Sequence, residues 1–422
     1  MSDAPAPRGL SAASRTPGAA RLAGMVALTQ LIGWGSTYSI PAVLARPMAE
    51  ALGMPLALAF GASSAFLLAM AGVSPWLGPV FERRGARPLL ALGSVVLAAG
   101  LAVLALSPNW VVYFLAWVVM GAGGAMALSN GANVLLAERL GPRARRGISA
   151  AMLVSGLAST CSFPVMLWLE PMLGWRGTLG VYALANLLVC APLHWFVPGP
   201  RPAAAPPPAP APVAPPGEDA PDPALLGRRA AAASAAERAR FGWLALAMSL
   251  AGMISWGLGV ALPETLAALG AETRTAVMIA AVVGVGQVAA RAVDFALGAP
   301  LPALSVAILA ALAMPVAFAV LGLGQGAVVA SVIFAAIYGA GTGLLSVCRA
   351  TLPLELFDPA AYARMVTRLA LPMNLAFAAA GPLFGGLLAA FGAAGPIGAA
   401  FLGALGALAA LLRLRALTRR TA

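Results

Sequence analysis

The stretch Pro88-Leu-Leu-Ala-Leu-Gly-Ser-Val-Val-Leu-Ala-Ala-Gly-Leu-Ala-Val-Leu-Ala-Leu-Ser107 contains no charged side chain. Its length is what a helix needs to cross the hydrocarbon core of a bilayer, roughly 20 residues at about 1.5 Å each. Runs of the same kind recur from Leu22 to near the C-terminus. They predict twelve spans, 1 to 12 in chain order, over residues 22–46, 56–81, 88–107, 110–137, 147–170, 176–197, 241–263, 274–297, 302–322, 327–350, 365–390 and 396–416. The composition agrees: 61% hydrophobic, 9% charged and a mean hydropathy of +0.90, where a soluble domain carries about 25% charged residues. A β-barrel would instead show alternating segments of about ten residues, and only a helix satisfies its own backbone groups within one segment. The expected fold is therefore an all-α integral membrane protein with twelve transmembrane helices.

Between spans 6 and 7 the pattern breaks. Residues 198–223 hold twelve prolines, and such a segment neither packs a core nor crosses lipid, so 198–240 reads as a flexible linker. The expected organisation is a tail (1–21), a six-helix bundle (22–197), the linker (198–240), a second six-helix bundle (241–416) and a tail (417–422). Arginine placement orients it. With both termini and the linker on one side, 21 of the 26 arginines fall on that side and three (Arg46, Arg176, Arg274) on the other. Arg291 and Arg349 lie inside spans 8 and 10. Both termini are thus expected in the cytoplasm, with the chain in the cell (inner or plasma) membrane.

The two bundles echo each other. Trp34-Gly35, Pro41 and Leu44-Ala45 of span 1 recur as Trp256-Gly257, Pro263 and Leu266-Ala267 of span 7, offset by 222 residues. Gly121-Ala122-Gly123 of span 4 recurs as Gly339-Ala340-Gly341 of span 10, offset by 218, an offset shared by Pro164 and Pro382 and by Gly174 and Gly392. Duplication of a six-helix unit with a site between the copies is a transporter architecture.

Several function classes drop out. The net charge of +12 comes from dispersed loop arginines rather than a basic domain, so no nucleic acid partner is expected. The chain has no lysine, hence no ordinary Walker A loop. Cys161, Cys190 and Cys348 sit in apolar runs without metal or disulfide spacing. No HExxH, Gly-x-Ser-x-Gly or metal cluster supports an enzyme, and no metal or cofactor is expected. His194, the one histidine, is expected at the surface, at the cytoplasmic end of span 6. Residues 1–20 are too polar for the apolar core of a signal peptide, so the first run is expected to stay as a span.

The connection between spans 2 and 3 reads Gly78-Pro-Val-Phe-Glu82-Arg83-Arg84-Gly85-Ala86-Arg87. It resembles the signature loop of the major facilitator superfamily, Gly-x-Leu-Ala-Asp-Arg-x-Gly-Arg-Lys. Gly78, Arg83, Gly85 and Arg87 match, and Glu82 fills the acidic slot. Gly174-Trp175-Arg176-Gly177 is a second short pattern frequent in that superfamily. The resemblance implies two six-helix bundles, alternating access and a loop whose carboxylate and arginines latch the cytoplasmic ends. Span 4 departs from the superfamily pattern Arg-x-x-Gln-Gly-x-Gly: Trp117 and Met120 replace the arginine and the glutamine. Span 5 lacks the Gly-Pro-x-x-Gly-Gly of many drug antiporters. Gln287-Val-Ala-Ala-Arg291 of span 8 resembles the Asp-x-x-x-Arg of monocarboxylate porters, and the oxalate:formate antiporter branch likewise uses an arginine there. The arginine is kept and the protonatable partner is absent.

An arginine near a helix centre costs about 2.5–3.5 kcal/mol on insertion scales. Arg291 is read as a carboxylate ligand, its planar fork matching both oxygens; the competing reading pairs it with Asp294. Arg349 is read as a gating or substrate-contacting residue with Glu355 and Asp358 as partners. The resemblance further implies a cavity lined by spans 1, 4, 7 and 10. Gln30, Trp34, Tyr38, Asn130, Trp256 and Tyr338 are the candidate contacts there, together with Gln287 of span 8 and Asn374 of span 11. The expected activity is secondary transport of a small solute, an organic anion such as a monocarboxylate, coupled to a proton or a counter-anion, by a monomer in the lipid bilayer. An efflux carrier for a drug-like or arsenite-type compound and a transport-inactive membrane sensor are the competing readings.

Overall fold

The computed structural model describes residues 17–197, 223–297 and 301–419, and among them every regular element is a helix. In chain order these are α1 (Pro17–Gly35), α2 (Ile40–Leu52), α3 (Leu56–Arg84), α4 (Ala86–Ala105), α5 (Trp110–Ala127), α6 (Ser129–Leu140), α7 (Ala144–Ser155), α8 (Ala158–Ala185) and α9 (Ala191–Trp195) in the first half. The second half contains α10 (Pro223–Ala268), α11 (Thr273–Leu297), α12 (Ala303–Leu323), α13 (Val328–Leu356), α14 (Tyr362–Phe391) and α15 (Ala394–Arg419). Nine described stretches are long and apolar enough to cross a membrane. Eight coincide with single expected spans, and the ninth, Trp110–Trp195, runs through spans 4 to 6. Within it span 5 is divided between α7 and α8 and span 6 between α8 and α9, and Gly174, at φ +64°, turns the chain between the two spans inside α8. Span 1 is divided between α1 and α2.

The repeated glycines have the same job in each half. A Cβ on Gly121 would fall 2.5 Å from the Phe66 carbonyl of α3, and one on Gly123 would fall 2.8 Å from the Leu97 amide of α4. In the second half, Gly339 meets the Val283 carbonyl of α11 at 2.5 Å and Gly341 the Ala310 carbonyl of α12 at 3.0 Å. Gly-Ala-Gly therefore wedges one helix between two others with backbones in contact, as small residues do in lipid. The corners match too. Glu138 accepts the Ala86 N–H that opens α4 at 3.0 Å, and Glu355 accepts the Ala303 N–H that opens α12 at 2.5 Å.

Continuity differs. Span 1 opens at Ser36–Ser39, just before Pro41, whose ring cannot share a helix with the carbonyl four residues earlier. One freed carbonyl finds a side-chain donor, and two side-chain contacts hold the opening. Ser162 donates to Gly35 O at 2.9 Å, Asn186 Nδ2 donates to Ser36 Oγ at 2.9 Å, and Ser39 Oγ lies 3.0 Å from Ser159 Oγ. Asn186 itself starts a π-helical turn, Asn186–Cys190. Span 4 opens at Leu128, and Gln30 Nε2 donates to the Ala127 carbonyl there at 2.9 Å. In the second half α10 passes Pro263 without a break. Gly257 packs there on the ring of Phe384, which has no donor for freed carbonyls.

Two expectations change. The linker was expected to reach residue 240, but α10 begins at Pro223. Pro is favoured at a first helical position, and the following Ala, Arg and Glu are strong helix formers. Residues 198–222, the rest of the expected linker, lie outside the described residues, as do residues 1–16 and 420–422 of the expected tails. His194, expected at the surface, is 3% exposed. Its Nδ1 lies 2.9 Å from Ser94 Oγ and its Nε2 2.9 Å from Thr29 Oγ1, so it ties α9 to α4 and α1.

Candidate functional site

A cavity of about 190 Å³ lies between the two halves. The first half contributes Trp34, Tyr38, Met70, Ser129, Asn130, Met152, Ser155 and Gly156. The second contributes Trp256, Arg291, Ser346, Arg349, Ala370, Met373, Asn374 and Phe377. The walls thus come from spans 1, 2, 4 and 5 and spans 7, 8, 10 and 11, more helices than the four expected.

Its charge is one-sided. Arg291 Nε donates to Ser346 Oγ at 3.0 Å and to Gly343 O at 3.4 Å, and Nη1 donates to Met152 O at 3.4 Å. Asp294 does not pair with it and instead accepts from Ser149 Oγ at 3.3 Å. Arg349 does not reach Glu355 or Asp358, which cap Ala303 N and Ala360 N. Its guanidinium sits 5.8 Å from the centre of the Phe377 ring. Asn374 is 6% exposed, and its Nδ2 has no hydrogen-bond partner among the described residues. No Asp or Glu is among the described lining residues. Two guanidiniums, which are donors only, line one small space, and Asn374 beside them holds a buried Nδ2 without a partner among the described residues.

The remaining wall is aromatic. Trp256 stacks on Phe377 (5.1 Å, 10°), with Tyr38 edge-on to Trp256 at 4.4 Å and Trp34 at 6.4 Å. Trp34 Nε1 donates to Ser129 Oγ at 3.1 Å, directly after the break in span 4.

Seven sequence candidates therefore share the cavity: Trp34, Tyr38, Asn130, Trp256, Arg291, Arg349 and Asn374. Three do not reach it. Gln30 is spent on the Ala127 carbonyl, Gln287 donates to Thr342 Oγ1 at 3.2 Å, and Tyr338 is 2% exposed, donating to Ile254 O and stacking on Phe334. Sequence reasoning missed the other nine lining residues: Met70, Ser129, Met152, Ser155, Gly156 and Ser346, for which the sequence held no signal, and Phe377, Met373 and Ala370. Phe377, Met373 and Ala370 stand three, one and four residues from Asn374, and the first and last share its helix face, so one polar residue in an apolar helix was the signal for the stripe.

The signature loop lies at the arginine-rich end. Glu82 Oε2 meets Arg364 Nη2 of α14 at 2.6 Å, so its partner comes from the opposite half rather than from Arg83, Arg84 or Arg87. Gly78 lets the halves close there, since a Cβ would fall 2.7 Å from Thr367 Oγ1 and 3.0 Å from Arg364 Cα. Gly85, at φ +76°, is the single residue joining α3 to α4, and Arg87 lies over the Trp195 ring at 5.2 Å.

The profile of the Major Facilitator Superfamily matches residues 25–334. The chain belongs to that superfamily. No curated protein matches it. Among solved structures it is similar to the human organic anion transporter MFSD10 (TETRAN), with TM-score 0.67, 18% identity, 94% of this chain and 100% of that one. The proton:xylose symporter XylE gives TM-score 0.65 at 14% identity, covering 94% and 95%. The E. coli fucose:proton symporter FucP gives 0.66 at 13%, covering 95% and 99%. At these identities the likeness is one of fold, and the major facilitator fold is that of a multi-pass membrane transporter.

Proposed function

We propose that this superfamily member is a secondary active transporter that carries a small organic anion, such as a monocarboxylate, by alternating access. The observation that carries the reading is the pair Arg291 and Arg349 in one inter-half cavity with no carboxylate among its described lining residues. Placing two arginines in a membrane-embedded site costs about 2.5–3.5 kcal/mol each on insertion scales. A carboxylate about 4 Å from a guanidinium gains about 4 kcal/mol at an effective dielectric near 20, enough to offset one of them. Asn374 adds an amide donor. Since no acid is among the described lining residues to take a proton, a counter-anion is the favoured coupling partner. The protein acts as a monomer with both termini in the cytoplasm of a cell membrane, the orientation favoured by 21 arginines against three. Glu82 and Arg364 serve as the cytoplasmic latch. An exposed ion pair is worth at most about 1 kcal/mol, weak enough to open in every cycle.

The test is thermal stabilisation of the purified protein by a panel of mono- and dicarboxylates, neutral solutes, cationic drugs and arsenite, with Arg291→Ala beside wild type. A carboxylate should stabilise the wild type and leave the variant unmoved. Equal stabilisation of both by a neutral or cationic compound would rule out an anion site at Arg291.

A further inference from the structure

Arg291 reaches across the molecule. It belongs to α11 in the second half, yet Nη1 donates to Met152 O on α7 in the first. Met152 O already accepts the Gly156 N–H at 3.1 Å, at the C-terminal end of α7 where helix carbonyls carry partial negative charge. Gly156 has ordinary right-handed helical angles, φ −63° and ψ −18°, so its backbone does not need glycine. Space does: a Cβ there would collide with Arg291 Nη1. The glycine forms a notch that admits a guanidinium.

The contact tops a ladder that joins α7 to α11 and the residues after it. Below it Ser149 Oγ donates to Asp294, the Arg146 guanidinium lies 5.5 Å from the Phe295 ring centre, and Arg145 Nη1 donates to Leu301 O at 2.9 Å. Met152, Gly156 and Arg291 line the cavity, and the lower rungs do not. The guanidinium that faces an incoming anion is thus also a tie between the halves. The bond to Met152 O is long, at 3.4 Å, whereas a cation–carboxylate bond closes to about 2.7–2.9 Å with charge on both partners, so an anion competes effectively for the guanidinium.

We propose that Gly156 is a docking notch for Arg291, and that anion binding draws Arg291 out of it and loosens the α7–α11 seal at the arginine-rich end. Gly156 is a positioning residue acting through Arg291. The inference rests on the anion reading above and names the device that links binding to opening. A ligand shifts a conformational equilibrium only through its different affinity for the two states, and here the docked state withholds one donor that the undocked state offers.

The experiment uses the full-length protein in detergent, wild type and Gly156→Ala, with hydrogen–deuterium exchange of residues 144–155 and 273–297 followed beside affinity for the best carboxylate of the panel. In wild type the carboxylate should raise exchange in both segments. Gly156→Ala should show raised exchange without ligand, no further rise with it, and roughly five-fold tighter binding, the worth of one hydrogen bond regained. Arg291→Lys, which keeps the charge but loses the fork, should also raise exchange without ligand and should not tighten binding. Unchanged exchange in both unliganded variants, or a carboxylate that lowers exchange in wild-type α7, would overturn the proposal. If no carboxylate binds, the anion reading fails and takes the anion trigger with it, while raised exchange in the unliganded variants still separately reports the notch.

Discussion

The two halves share a fold and divide the work. In the first half the cavity-facing spans 1 and 4 are broken, at Ser36–Ser39 and at Leu128, and Tyr38, Ser129 and Asn130 stand at or beside the breaks. In the second half α10 and α13 are unbroken, and the cavity receives Arg291, Arg349 and Asn374 from continuous helices. A duplicated unit can supply neutral dipoles and bending points from one copy and fixed charge from the other. The copies differ in the donors nearby. Ser162 and Asn186 stabilise the opening beside Gly35, whereas Phe384 offers nothing beside Gly257.

The sharpest test of this comparison strikes what the halves have in common. Gly121→Leu and Gly339→Leu each press a side chain into a backbone carbonyl, where overpacking costs typically 1–3 kcal/mol and more when the neighbour cannot move. Both should lose folded protein on size-exclusion chromatography to the same degree; tolerance in one half alone would break the equivalence. The division of labour predicts unequal effects in the cavity. Arg349→Ala should weaken carboxylate binding by roughly 30- to 100-fold, about 2–3 kcal/mol, and Asn130→Ala by only a few-fold, as read by titration calorimetry. Gln30→Leu strands the Ala127 carbonyl and should destabilise the protein by about 1–3 kcal/mol, measured by denaturant unfolding in mild detergent. Among the described residues α10 and α13 of the second half contain no such break to weaken. Smallest is Glu82→Gln, with a stability loss below about 1 kcal/mol but faster labelling of a cysteine introduced beside Arg364 if the pair holds the halves together.

The spans were legible because apolar runs of about 20 residues have one stable use, and the repeat was legible because Gly-Ala-Gly does the same packing twice. The opening at Pro41 was half legible: proline announced a bend, while the donors that turn a bend into a break come from spans 5 and 6. Leu128 gave no sign at all, since the signal for its break is Gln30, 98 positions earlier. Gln30 and Tyr338 were read as cavity residues because a polar atom in an apolar helix looks functional. In each case a backbone carbonyl on another helix, invisible in one dimension, claims that atom. His194 failed in the opposite direction, its end-of-helix position concealing two hydroxyls that surround it. Arg291 and Arg349 were legible because a charge in an apolar run has few uses.

The early start of α10 has a mechanical consequence. From Pro223 to Arg240 the helix runs about 27 Å beyond the expected span, at about 1.5 Å per residue, and it is continuous with the segment that carries Trp256 into the cavity wall. A rod fixed to one half is a pointer. If that half tilts by about 10°, simple trigonometry on this length moves the tip by roughly 5 Å, a shift that paired spin labels resolve. A label at exposed Ser234, about 10 Å along that rod, would move by roughly 2 Å for the same tilt and would report tilting of this half without touching a residue of the cavity or of the α7–α11 contact.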